Sequence, residues 1–108
     1  MATFGEYLRQ EREKKDLNQS DFGQELGIIM TDISKIENGR KQFPFAKLEK
    51  LSTYLKVDLI KLTDLFVADK MVAEARKYAC SEKVYAVAET QHKYLRSKNA
   101  KQTDLKFQ

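Results

Sequence analysis

The chain has 108 residues, 42% hydrophobic and 33% charged, which is enough apolar material for one compact domain with an appendage and excludes wholesale disorder. No apolar run approaches the roughly 18–20 residues of a membrane span, and the opening Met-Ala-Thr-Phe-Gly-Glu lacks the basic and apolar regions of a secretory signal, so a cytoplasmic protein is expected. The net charge of +4 is unevenly spread: residues 1–66 hold 11 Lys+Arg and 11 Asp+Glu, whereas residues 67–108 hold nine and five. Cys80 is the only cysteine and His92 the only histidine, which excludes an internal disulfide and a Cys/His zinc cluster. Cys80 reads as a small packing residue and His92 as a helix-surface residue. With no phosphate-binding loop and no Ser-His-Asp candidate, neither catalysis nor a metal or cofactor site is expected.

One proline and four glycines leave the chain nearly free of helix breakers, and no Val/Ile/Thr alternation marks a sheet, so the fold class is all-α. Thr3-Phe4-Gly5-Glu6 is a capping box that opens a first helix with Phe4, Leu8 and Tyr7 on its apolar stripe. Lys14 and Lys15 suit its negative end, and Asp16 tolerates the left-handed turn that follows. Asn18 caps a short second helix, Gln19 to Leu26, which Gly27 stops. A third helix runs from about Met30 to Asn38 with Ile29, Ile33 and Ile36 as its stripe, closed by Gly39. After the basic loop Arg40-Lys41-Gln42-Phe43, a fourth helix spans roughly Ala46 to Leu55. Asp58 caps a fifth, Leu59 to about Leu65. A new helix then starts near Asp64 and carries Phe66, Met71 and Tyr78. Ser81 caps a last helix bearing Val84, Val87, Tyr94 and Leu95, and residues 99–108 show no periodic pattern and read as a polar tail.

The segment Gln19-Ser20-Asp21-Phe22-Gly23-Gln24-Glu25-Leu26-Gly27-Ile28, followed by Ile33-Ser34-Lys35-Ile36-Glu37-Asn38-Gly39-Arg40, prescribes two short helices locked across a tight glycine turn. Over residues 4–66 the chain resembles the helix-turn-helix domains of phage repressor and Cro-type regulators (the xenobiotic response element family), and is similar to restriction-modification controller proteins. The resemblance implies a five-helix repressor-like DNA-binding bundle over residues 1–66, a two-helix extension over 67–98 and a tail over 99–108.

It also implies roles. Double-stranded DNA would be held by phosphate contacts from Asn18, Gln19, Asn38, Arg40 and Lys41, which set register rather than sequence. Bases would be read by Met30, Thr31, Asp32 and Lys35. Thr31 offers a methyl or hydroxyl, Lys35 donates to guanine, and Asp32 accepts from a cytosine amino group. The alternative for this quartet is a solvated face with an Asp32–Lys35 surface pair. Arg12 and Glu37 match positions of an internal ion pair; otherwise Arg12 meets a phosphate. Gly23 stands where the family has alanine, and only a small side chain is expected to fit. Ile29 replaces the usual Ser or Thr cap, and Met30 a common glutamine, so a different operator is expected.

One such module buries little surface, and relatives dimerise on palindromic sites. Phe66, Met71, Tyr78, Tyr85 and Tyr94 make residues 67–98 and their approach the candidate homodimer interface; the alternative is that these helices fold back on the bundle. Lys93, Arg96, Lys98 and Lys101 are read either as a solvated face or as contacts to flanking DNA. The function implied is a sequence-specific transcriptional regulator. Two alternatives stay open: an antitoxin component, or a helical protein-interaction module engaging a protein partner through the C-terminal helices.

Overall fold

The computed structural model describes residues 2–106. Among them lie six α-helices and no strand: α1 (Phe4–Lys14), α2 (Gln19–Leu26), α3 (Met30–Glu37), α4 (Leu48–Leu55), α5 (Leu59–Lys77) and α6 (Val84–Lys106), with a 3-10 turn at Phe45–Lys47 before α4. The fold is all-α. None of the described helices is long and apolar enough to cross a membrane.

Individual residues write the stops. After α1 to α4 the chain takes one residue of positive φ: Asp16 at 55°, Gly27 at 70°, Gly39 at 76° and Lys56 at 57°. The amide of the next residue then reaches back to the last turn. Leu17 donates to the Arg12 carbonyl at 3.3 Å, Ile28 to Gly23 at 2.8 Å, Arg40 to Lys35 at 2.8 Å and Val57 to Ser52 at 3.1 Å. These bonds satisfy carbonyls that would otherwise be orphaned and turn the chain sharply.

The starts are equally local. Thr3 Oγ1 accepts from the Glu6 amide at 3.2 Å while Glu6 Oε2 accepts from the Thr3 amide at 3.4 Å. A distant residue helps: Asp69 Oδ2, on α5, accepts from the Phe4 amide at 3.0 Å.

The chain forms two compact units, Met1–Val72 and Ala73–Gln108. In the first, Leu8, Phe22, Leu26, Ile33 and Leu51 are fully buried, each worth about 1.5–3 kcal/mol of transfer free energy. The Phe4 ring lies 5.4 Å from Phe43 and meets Phe66 edge-on at 6.0 Å. Offset and edge contacts suit the ring quadrupoles.

Several elements differ from the sequence expectation. Ile29 is 67% exposed, outside the α3 stripe, and Ile28 is buried in its place. The fourth helix opens as a 3-10 turn behind Pro44, which has no amide to donate. The helices expected on either side of Leu65 are one, α5, because no glycine or proline interrupts Leu59–Lys77 and Asp64 lies exposed within it. Phe66 is consequently core rather than interface, 5% exposed.

In the second unit Ser81 does not cap α6. The helix starts at Val84, and it is the Ser81 carbonyl that accepts from the Val84 amide at 3.1 Å. Cys80 is exposed, not packed, with Sγ 3.3 Å from the Ala75 carbonyl oxygen. The backbone expected to lack pattern from residue 99 continues α6 to Lys106, in a stretch again without glycine or proline; the rest of that tail lies outside the described residues. Tyr78, Tyr94 and Leu95 are more than half exposed in this unit.

Candidate nucleic-acid interface

α2 and α3 form a preset angle because the turn between them is held from several sides. Phe22 and Leu26 on α2 and Ile33 and Ile36 on α3 are all buried in one core. A Cβ on Gly23 would press into the Ile28 carbonyl oxygen and come within 3.0 Å of Ile33 Cγ1. The tightness therefore comes from the backbone of the turn itself, and even alanine would require that turn to shift. Lys47 closes the other side, donating from Nζ to the carbonyls of Leu26 at 3.0 Å and Gly27 at 2.6 Å. A cation on these last carbonyls is favoured by the helix dipole.

α1 is keyed to the far end of α3. Gly5 lies so close that a Cβ there would meet the Ile36 carbonyl oxygen and, at 2.9 Å, that of Glu37. Beside this contact Arg12 grips Glu37 with two parallel bonds, Nε to Oε2 at 2.8 Å and Nη2 to Oε1 at 3.0 Å. Arg12 Nη1 also donates to the Leu17 carbonyl at 2.8 Å. Glu37 is the one buried charged residue among those described, and its bond to Arg12 raises the guanidinium pKa above its ordinary value. Gln19 completes the set, donating from Nε2 to Glu37 Oε1 at 3.2 Å. A bidentate carboxylate with a third donor is the geometry in which a buried charge is tolerated.

The residues considered for phosphate fall on several elements. Asn18 is exposed at the start of α2, where its Oδ1 accepts from the Asp21 amide at 2.7 Å, leaving the amide donors at the surface. Asn38 ends α3, with Arg40 and Lys41 exposed in the following loop. That loop is anchored by Phe43, 2% exposed against Phe4, although in sequence it stands at the end of a basic stretch.

Of the residues considered for bases, Met30, Thr31 and Lys35 are exposed on α3. Ile29 precedes them as an N-cap with no side-chain hydrogen bond, so no side chain caps this helix there. Asp32 is half-buried and does not pair with Lys35; its Oδ2 takes a hydrogen bond from Lys41 Nζ at 2.8 Å.

Gly5, Phe43 and Lys47 escaped the sequence reading. Phe43, a lone aromatic between a basic run and Pro44, was the one with a legible signal. Gly5 and Lys47 work through backbone atoms of elements distant in sequence, which no local pattern announces.

Residues 3–65 match a family model described as a helix-turn-helix domain. The control protein C.MunI of a Mycoplasma species is 38% identical over 60 residues, covering 55% of this chain and 81% of that protein. Among solved structures, the P22 c2 repressor in complex with a synthetic operator aligns with a TM-score of 0.52 and 26% identity, over 57% of this chain and 94% of that one. A SinR/SinI protein complex aligns over 88% of this chain and 99% of its own, with a TM-score of 0.50 and 24% identity, a likeness of fold alone.

Proposed function

The chain belongs to the helix-turn-helix domain family, and we propose that it is a cytoplasmic transcriptional regulator, not an enzyme, that binds a palindromic double-stranded DNA operator as a homodimer. The observation that carries this is the Arg12–Glu37–Gln19 set, which ties α1 and α2 to the end of α3 and leaves Met30, Thr31 and Lys35 outward. A reading helix must enter the major groove as a rigid unit, because any slack relaxes discrimination between bases.

Met30, Thr31, Asp32 and Lys35 read bases in this proposal. Asn18, Gln19, Asn38, Arg40 and Lys41 lie along the backbone and hold phosphates. That the similar P22 c2 repressor was solved with a synthetic operator supports duplex DNA as the ligand. With residues 1–66 electrically neutral, affinity rests on local contacts rather than a bulk field. Two copies per operator would supply the surface that one module lacks. Residues 67–98 are the proposed interface, supported by the exposure of Met71, Tyr78, Tyr85 and Tyr94 within that stretch.

A selection from random duplex DNA, with the mass of the bound complex measured alongside, tests the reading. An enriched inverted repeat carrying two protomers is the expected result. Enrichment of nothing at moderate salt would reject it, and the exposed tyrosines would then favour an interaction module or antitoxin component with a protein partner.

A further inference from the structure

Lys41 reaches back past the Gly39 stop to α3, where its Nζ lies 2.8 Å from Asp32 Oδ2. The pair links the third residue of α3 to the loop after it, and both ends stay accessible: the Lys41 side chain is 48% exposed and that of Asp32 26%. Neither group is saturated. An ammonium has three donors, of which one is engaged among the described residues, while the carboxylate keeps Oδ1 and further lone pairs.

A lone carboxylate on this face would be repelled by every nearby phosphate. Lys35, one turn further along α3, is exposed, and the ion pair that Asp32 makes is with Lys41. With an ammonium at hydrogen-bond distance the pair carries no net charge, and the repulsion that would keep a carboxylate out of the groove falls away.

Resting on the DNA-binding reading above, we infer that Asp32 and Lys41 act as one specificity element. Asp32 accepts a hydrogen bond from an exocyclic amino group in the major groove, that of cytosine or adenine. Lys41 is the positioning residue: it holds the carboxylate, neutralises it and donates to the adjacent phosphate. The discrimination has a repulsive half. Guanine and thymine present the acceptors O6 and O4, and a carboxylate, having no donor, cannot turn to suit them as an amide could.

The test compares base preferences and salt dependence for the full chain and for Asp32→Ala, Asp32→Asn, Lys41→Ala and the double Asp32→Ala/Lys41→Ala variant. Circular dichroism checks that each folds, which their exposure favours. Asp32→Ala should lose about tenfold discrimination at one position per half-site and, with Lys41 released, show a logarithmic salt slope steeper by up to about one phosphate. Asp32→Asn should accept guanine or thymine at that position. Lys41→Ala should weaken binding overall and blunt the preference, and adding Asp32→Ala to it should recover affinity. Unchanged preferences in Asp32→Ala, or additive losses in the double variant, would overturn the inference and leave an ordinary surface ion pair. If the unaltered chain enriches no sequence at all, the regulator reading fails first and this inference with it.

Discussion

Arg12 and Glu37 are joined by two parallel hydrogen bonds, 2.8 and 3.0 Å long, across 25 residues of sequence. Their side chains are 12% and 2% exposed, so the pair lies at the edge of the core rather than on the surface. Removing one partner strands the other. Arg12→Met leaves the Glu37 carboxylate buried with Gln19 Nε2 still donating to it, and should cost about 3 kcal/mol in urea denaturation. A loss below about 0.5 kcal/mol would class the pair with exposed ion pairs, which contribute little.

Gly5→Ala sets two effects against each other. Alanine is the better helix former by about 1 kcal/mol. Its Cβ, however, meets the carbonyl oxygens of Ile36 and Glu37, backbone atoms that cannot swing aside. Overpacking should win, lowering stability by about 1–2 kcal/mol. A rise in the midpoint of thermal unfolding would show that α1 can move off α3 freely.

Lys56 holds a left-handed conformation, φ 57°, after α4 with its side chain exposed. Glycine adopts that conformation without a steric penalty, so Lys56→Gly should stabilise the chain by about 1 kcal/mol. The same denaturation series reads it, and Lys56→Ala, which keeps the Cβ, serves as the control that should gain nothing.

Burial raises the Tyr54 hydroxyl above its ordinary pKa of 10, with Glu25 adding to the shift. The folded state therefore disfavours tyrosinate more than the unfolded chain does. The corresponding stability is fully present below pH 10 and is lost as pH rises through the folded value. Tyr54→Phe should flatten this alkaline decline; an unchanged slope would assign it to other groups.

Lys35→Ala and Arg40→Ala separate reading from holding. If Lys35 reads a base, its removal should cost about 1–3 kcal/mol on the preferred operator and relax preference at one position. Arg40→Ala should weaken all duplexes alike and reduce the salt slope by about 1. Competition binding at two salt concentrations distinguishes them, and a uniform loss from Lys35→Ala would move that residue to a phosphate.

The sequence by itself determined the elements whose causes are local. Thr3 with Glu6, Asn18 and the glycines at 27 and 39 act within one helical turn, so the boundaries of α1, α2 and α3 were legible to within a residue. The apolar spacing of Phe22, Leu26, Ile33 and Ile36 fixed which faces turn inward, since helical period alone sets it. The family resemblance supplied Arg12 and Glu37 as a pair, which no spacing in this chain would have suggested.

Only the tertiary structure decided how those elements close on one another. It moved Phe66 and Phe43 into the core beside Phe4, pressed Gly5 onto the α3 carbonyls and joined Asp32 to Lys41 instead of Lys35. Each of these depends on distances between residues far apart in the chain or across a loop. Periodicity carries the phase of a helix about its own axis, but neither its height against a neighbour nor the path of the loop that follows it.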